Sequence, residues 1–213
     1  MNKFDCILFD LDGTLIDTTP LILESFRHTF FHHFNIVKQD DELYQYLGIP
    51  LKRPFEALYP DKVDILMNTY REYNVLKHDE CVSIFLGVPQ LLKECRCKGI
   101  KLGVVTSKKR ELAMRGMELF GLFSYMDVFI GYEDTTIHKP EGEPVLKAMK
   151  ELGIGNGSKV LYVGDSPYDI LCARNAGVKS AAVTGWSYVP RKDLLSCTPD
   201  YCILTPVELL SYI

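Results

Sequence analysis

Two carboxylates, those of Asp10 and Asp12, stand two positions apart where an apolar run ends. The run extends from Cys6 to Phe9, and a run of this length closed by a glycine is typical of a buried strand followed by a turn. Burying a carboxylate without a partner costs several kcal/mol, which is comparable with the stability of a whole domain. A divalent cation with oxygen ligands would compensate both charges. The stretch therefore predicts a metal site that also carries a nucleophile or a base.

Polar side chains follow later apolar runs in the same way. Thr106 and Ser107 come after one run, Asp165 comes after another, and Lys139 lies in the loop after a third. Ligands of open parallel sheets bind at the carboxyl ends of the strands, so these residues are expected at one edge of a sheet. Together with the two N-terminal carboxylates, they would bind a phosphate and Mg²⁺ at the same place.

Strands and helices alternate along the chain from about residue 81 onward. This alternation indicates βαβ units and a parallel sheet. The predicted fold class is α/β, with a Rossmann-like parallel sheet core and helices on both of its faces. Strands are predicted at 6–9, 101–106, 127–130, 160–163, 180–183 and 201–204.

Residues 16–80 show a different pattern, in which we find no strand. Apolar residues recur there at helical spacing, Asp17 is predicted to cap the first helix, and a later helix is predicted to end at Gly48. We therefore expect an all-α cap domain of residues 16–80, inserted into a core made of residues 1–15 and 81–213. The insert leaves the core just after the two carboxylates, as a lid over a site would.

Four short motifs occur in a fixed order at the predicted strand ends. They are DxDGT at Asp10–Thr14, a threonine at Thr106, a lysine at Lys139 and GDxxxD at Gly164–Asp169. In these motifs, and in the alternating core over the whole chain, the sequence resembles the haloacid dehalogenase (HAD) superfamily. Within it, the sequence is similar to the phosphoglycolate phosphatase and pyrophosphatase-like enzymes that carry a helical cap.

The resemblance implies a role for each acidic residue. Asp10 is expected to attack phosphorus and form an aspartyl-phosphate, while Asp12 acts as general acid and then as general base. Mg²⁺ is expected to bind Asp10, Asp165 and the backbone carbonyl of Asp12. Asp169 has two interpretations, because it can cap a helix that begins after Ser166 and can also hold metal-bound water. We favour both roles together.

Thr106, Ser107 and Lys139 are expected to bind the phosphate. A hydroxyl, a backbone amide and an ammonium group would stabilise its equatorial oxygens. Each residue also has a plainer interpretation, because Thr106 and Ser107 can simply lead into the next helix and most lysines are solvated. Their order along the chain, after the acidic motif, is what favours a functional role.

One position departs from the pattern of the similar enzymes. They tend to have a second proline where this chain has Gly142, two residues after Pro140. We interpret the glycine as loosening the backbone of this loop. The departure weakens the assignment to a subfamily and leaves the chemistry unchanged.

Composition and charge exclude several classes of partner. A net charge of −4 offers no attraction to nucleic acid or acidic lipid. No apolar run reaches the roughly 20 residues that span a bilayer, and the N-terminus lacks a signal-peptide pattern. Seven scattered cysteines suit a reducing compartment. We expect a cytoplasmic protein, a monomer or a homodimer, whose partner is a small phosphorylated metabolite.

The function that these residues favour is a Mg²⁺-dependent phosphatase, similar to phosphoglycolate phosphatase. A phosphomutase of the β-phosphoglucomutase type is an alternative because Asp12 would serve both reactions, and an inorganic pyrophosphatase is another. A signalling receiver domain also stores phosphate on an aspartate near a threonine and a lysine. However, Asp12 would hydrolyse that store, and a receiver does not need the insert. A dehalogenase is disfavoured because those relatives generally lack the second aspartate.

Overall fold

A six-stranded parallel sheet forms the centre of the first of the two units into which the chain divides. The structure is a computed structural model and describes residues 2–47, 49 and 51–213. The first unit consists of Met1–Asp17 and Ile84–Ile213, and the second is the inserted segment Thr18–Ser83.

The sheet has the strand order β5-β4-β1-β6-β7-β8, and every recorded pairing between neighbours is parallel. This order confirms the predicted Rossmann-like α/β core. The strands are β1 (Cys6–Phe9), β4 (Lys101–Val105), β5 (Val128–Ile130), β6 (Val160–Gly164), β7 (Lys179–Val183) and β8 (Tyr201–Ile203), with two short strands, β2 (Ile16–Asp17) and β3 (Ser83–Ile84), elsewhere in the chain.

The central strand β1 is buried on both of its faces. Cys6 and Leu8 pack in one apolar cluster with residues of the helices, and Ile7 and Phe9, which point to the opposite face, are buried as well. A strand covered on both sides reads as a continuous apolar run rather than an alternating one, as this sequence does. The helices of this unit are α5 (Val88–Cys97), α6 (Arg110–Leu119), α7 (Glu143–Glu151), α8 (Pro167–Asn175) and α9 (Arg191–Ser196).

The inserted unit is built from helices around an aromatic core. Phe26, Phe30, Phe55 and Tyr70 pack against one another there, with ring centroids 4.8–6.4 Å apart. Its helices are α1 (Thr19–Phe34), α2 (Asp40–Leu43), α3 (Lys52–Leu58) and α4 (Val63–Cys81). None of the helices in the described part of the chain is both long and apolar enough to cross a membrane.

Three local predictions for residues 16–80 have different outcomes. The predicted absence of strands is wrong, because Ile16–Asp17 forms β2, and a two-residue strand has no periodic pattern to reveal it. Asp17 is not the cap of α1, since the helix begins at Thr19 and the preceding residue is Thr18. The predicted helix end at Gly48 lies outside the described residues.

Gly142, at the start of α7, lies against the end of α8 rather than loosening its loop. A Cβ atom at this position would come within 2.6 Å of the backbone nitrogen of Ala176 and 2.7 Å of the carbonyl carbon of Asn175. Backbone atoms cannot move aside as the tip of a side chain can. The glycine therefore allows a close approach of two helices that any other residue would prevent.

We expect Gly142→Ala to lower the free energy of unfolding by about 1–3 kcal/mol, because the added methyl group overpacks this contact. Urea denaturation followed by circular dichroism measures the change. Gly155→Ala is the matched control, since a Cβ atom there would meet nothing within 4 Å. A Gly142→Ala protein as stable as the control would show that the two helices separate without cost.

Candidate active site

The carboxyl ends of β4, β1 and β6 lie side by side, because these strands are neighbours in the sheet. Thr106, Asp10 and Asp165 are the residues that directly follow the three strands. The backbone N–H of Asp10 donates to the Val163 carbonyl at 2.9 Å, and that of Thr106 donates to the Ile130 carbonyl at 2.9 Å. The sheet itself therefore sets the positions of these residues.

Three of the predicted site residues form a carboxylate cluster at this edge. Asp10, Asp165 and Asp169 each place an oxygen within 4.8 Å of the others. Asp10 comes from the end of β1, Asp165 follows β6, and Asp169 lies in the first turn of α8. Oxygen ligands at this spacing suit a hard divalent cation such as Mg²⁺.

Lys139 connects two members of this cluster. Its Nζ donates to Asp10 Oδ1 at 2.9 Å and to Asp169 Oδ1 at 2.7 Å, and only 6 % of its side chain is exposed. Burial by itself lowers the pKa of Lys139, but the two adjacent carboxylates outweigh it, so that its pKa is raised. Lys139 is therefore a fixed positive charge beside the carboxylates.

Asp169 is held by the start of its own helix. The side chain of Ser166 accepts from the backbone N–H of Asp169, and Asp169 Oδ2 accepts from the backbone N–H of Ser166 at 3.0 Å. This reciprocal pair is the predicted capping arrangement, which is confirmed. The hydroxyl of the buried Tyr162 lies 3.1 Å from Asp169 Oδ1. The carboxylate can thus cap the helix and still face the cluster.

Asp165 is held by hydroxyl groups on both of its oxygens. Thr14 Oγ1 donates to Oδ1 at 3.4 Å, and Ser187 Oγ lies 3.3 Å from Oδ2. Ser187 belongs to the loop after β7, where Trp186 also donates its indole N–H to the Thr14 carbonyl at 3.2 Å. These contacts orient a candidate metal ligand from a second layer of residues.

The tight turn after Asp12 depends on Gly13. Its φ of 77° is a left-handed conformation that glycine adopts without strain. A Cβ atom there would lie 2.2 Å from Asp165 Oδ2. Gly13 therefore permits both the turn and the approach of Asp165.

Lys139 only partly offsets the cost of burying the charged forms of Asp10 and Asp165. Burial, and then the charge of Asp169, raise the pKa of Asp10 to about 7, although Lys139 opposes the shift. Burial and the charges of Asp169 and Asp10 also raise the pKa of Asp165 well above its ordinary value. Buried carboxylates with this incomplete compensation fit a bound divalent cation.

Asp12 lies beside the cluster and pairs with a different lysine. Lys108 Nζ donates to Asp12 Oδ1 at 2.9 Å. Thr106 is buried, and its Oγ1 accepts from the backbone N–H of Lys108 at 3.2 Å. Ser107, between them, is exposed. The structure thus brings Asp12, Thr106 and Ser107 to the same edge as the carboxylate cluster.

Three further residues that the motifs do not include contact the site, namely Lys108, Ser187 and Tyr162. Lys108 directly follows Thr106 and Ser107, so the strand-end argument applied to one more residue would have found it. The same argument applied to the end of β7 points to the loop that carries Ser187. Tyr162 gives no signal, because a tyrosine inside an apolar run looks like any other core residue.

Comparison with known proteins places this site in a family. Residues 7–183 match the model of the haloacid dehalogenase-like hydrolases, a segment that contains all four motifs. The chain is a haloacid dehalogenase-like hydrolase. The predicted family, the fold class and the assignment as an enzyme of the phosphatase type are thereby confirmed.

Several relatives of this hydrolase match over nearly the whole chain. "Putative pyrophosphatase PpaX" from Caldanaerobacter subterraneus is 47% identical over 99% of this chain and 95% of its own length. "Pyrophosphatase PpaX" from Halalkalibacterium halodurans is 39% identical over 99% of this chain and 97% of its own length. Among solved structures, the haloacid dehalogenase-like family protein SP0104 from Streptococcus pneumoniae has a TM-score of 0.89 and is 26% identical, covering 100% of this chain and 99% of its own.

Proposed function

We propose that this hydrolase is a Mg²⁺-dependent phosphatase that forms an aspartyl-phosphate on Asp10, with inorganic pyrophosphate as its first candidate substrate. The observation that carries the proposal is the cluster of Asp10, Asp165 and Asp169 with Lys139 buried against it. The similarity to chains named pyrophosphatase, over nearly the full length, supports the choice of substrate.

The cation would be held by the side chains of Asp10 and Asp165 and by the backbone carbonyl of Asp12, with Asp169 holding bound water. When bound, the ion would supply positive charge that offsets the charge developing on the phosphate oxygens. Thr14 and Ser187 keep Asp165 oriented for this role.

In the first step an Asp10 oxygen attacks phosphorus in line with the bond to the leaving group. The new bond joins Asp10 to phosphorus, and the bond from phosphorus to the leaving oxygen breaks, so that this oxygen takes the electron pair. Asp12 gives a proton to that oxygen. Thr106, Ser107 and Lys139 bind the oxygens of the transferred group.

In the second step water hydrolyses the aspartyl-phosphate. Asp12, now a carboxylate, takes a proton from the water as the water oxygen bonds to phosphorus. The bond between Asp10 and phosphorus breaks, and the Asp10 carboxylate is restored. Phosphate leaves, and Asp12 carries the proton that the next cycle requires.

Small phosphorylated metabolites such as phosphoglycolate are the second candidate substrates. We propose that the helical insert, residues 16–80, is a cap that contributes selectivity among them. Lys52 and Arg53 are candidate contacts within it, although Lys52 also pairs with Glu56 on the surface of α3.

A panel of pyrophosphate, phosphoglycolate and hexose phosphates, assayed for phosphate release with Mg²⁺ and with a chelator, ranks the candidates. Conversion of one hexose phosphate into another would favour a phosphomutase instead.

The cytoplasm is the proposed compartment. All seven cysteines are free in the structure, and Cys6, Cys95 and Cys172 are buried. Burial raises the pKa of each of these three thiols to about 12, so they are unreactive core residues. Free thiols suit a reducing environment.

We expect Asp165→Asn to weaken Mg²⁺ binding by at least about tenfold, because a neutral amide replaces a charged ligand. Two readouts measure this: the Mg²⁺ concentration that gives half-maximal phosphate release, and the rise in melting temperature that Mg²⁺ causes. Asp193→Asn, on the exposed side of α9, is the matched control. An Asp165→Asn protein that responds to Mg²⁺ as the control does would overturn the proposed metal site.

A further inference from the structure

Lys108 is a second positively charged side chain at the edge of the sheet that carries the candidate active site. It has no role in the catalytic steps proposed above. Its Nζ contacts Asp12 Oδ1 at 2.9 Å, and 11 % of its side chain is exposed. The Asp12 side chain is 28 % exposed, whereas only 6 % of the Lys139 side chain is exposed. The pair of Lys108 and Asp12 is therefore more accessible to solvent than the pair of Lys139 and Asp169.

Two hydrogen bonds fix the backbone of Lys108. The Lys108 N–H donates to Thr106 Oγ1 at 3.2 Å, and the Lys108 carbonyl accepts from the Tyr132 N–H at 3.1 Å. These contacts attach the residue to the end of β4 on one side and to the segment after β5 on the other. With its backbone fixed and its Nζ in contact with Asp12, the side chain loses less entropy when it binds an anion.

Lys139 and Lys108 contact different aspartates at this edge. Lys139 donates to Asp10 and Asp169, and so has two carboxylate partners. Lys108 has a carboxylate partner in Asp12. An ammonium group has three N–H donors, so Lys108 can donate to another anionic oxygen as well as to Asp12.

We propose that Lys108 binds the leaving group of the substrate, and that the hydrolase selects phosphoryl compounds whose leaving group is itself an anion. This inference rests on the proposed function, in which Asp12 protonates the leaving oxygen. A cation in contact with Asp12 lies close to that oxygen. It attracts a leaving group that carries a phosphate or a carboxylate and gives a neutral alcohol no such attraction.

Steady-state kinetics with three substrates test the proposal. The leaving group is phosphate for pyrophosphate and a carboxylate-bearing alcohol for phosphoglycolate. For glycerol phosphate it is a neutral alcohol. We expect Lys108→Gln to raise KM about tenfold or more for the two substrates with anionic leaving groups, because a charged hydrogen bond is lost. For glycerol phosphate, whose leaving group has no charge for Lys108 to bind, KM should stay within about threefold of the unmodified enzyme.

Two further variants make the result specific. Lys108→Arg keeps the positive charge. Its KM values for the anionic substrates should therefore be close to those of the unmodified enzyme. Lys109→Gln removes an exposed lysine from the next position and should leave all three substrates unchanged. A KM effect on pyrophosphate alone assigns the site to phosphate, an effect on phosphoglycolate alone assigns it to carboxylate, and an effect on both assigns it to anions in general.

An equal loss of kcat on all three substrates with no selective rise in KM for the anionic ones would overturn the proposal, because Lys108 would then only orient Asp12. Unchanged KM values for both anionic substrates would overturn it as well. If Lys108→Gln does not fold, the unmodified enzyme decides: kcat/KM at least about tenfold higher for the anionic substrates supports the proposal, and a preference for glycerol phosphate overturns it. Failure of the proposed function itself is distinguishable from failure of this inference. It would appear as hydrolysis that needs neither Mg²⁺ nor Asp10.

Discussion

Replacing Asp10 with asparagine is expected to lower the turnover of Mg²⁺-dependent phosphate release at least about a thousandfold. The amide oxygen of asparagine is a poor nucleophile, so the aspartyl-phosphate does not form. The fold should remain, because Lys139 keeps its 2.7 Å contact with Asp169. The change also removes a carboxylate whose pKa is already raised to about 7, mainly by burial.

Phosphate release, the melting temperature and the mass of the acid-quenched protein together test this prediction. The parent should gain the mass of one phosphoryl group during turnover, and Asp10→Asn should not. Asp5→Asn, an exposed aspartate just before β1, is the control and should behave as the parent. Turnover of the Asp10→Asn protein at the parent's rate would exclude Asp10 as the nucleophile.

Lys139→Met is expected to have the largest effect on stability, a loss of about 3–5 kcal/mol in the free energy of unfolding. The substitution keeps the length of the side chain but leaves the carboxylates of Asp10 and Asp169 without the cation that lies 2.9 Å and 2.7 Å from them. Both acids are largely buried, so water replaces the lost partner poorly. Phosphate release should fall as well.

Urea denaturation in the presence of a chelator measures this loss without a contribution from bound metal. Lys147→Met is the matched control, because Lys147 pairs with Glu151 on the exposed surface of α7, where an ion pair contributes at most about 1 kcal/mol. If the two variants lose the same stability, the Lys139 contacts do not compensate buried charge.

The sequence by itself determined the features that depend on neighbours along the chain. The apolar run of β1 and the carboxylate after it predict both the strand and the place of Asp10, because a strand and the turn that ends it are local. The Ser166–Asp169 capping pair is likewise local, since the two residues lie one helical turn apart. Strand-end residues could therefore be assigned to one edge once the sheet was predicted to be parallel.

Only the tertiary structure decided which charges meet and which backbones touch. Lys139 and Asp169 are 30 residues apart, and Lys108 and Asp12 are 96 apart, so no spacing in the sequence links them. The same holds for Ser187 beside Asp165.

Gly142 shows the difference most clearly. In the sequence it indicates a looser loop, whereas in the fold it allows α7 to lie against the end of α8. Patterns along a chain record local conformation and burial, but ion pairs and close approaches depend on where distant segments pack.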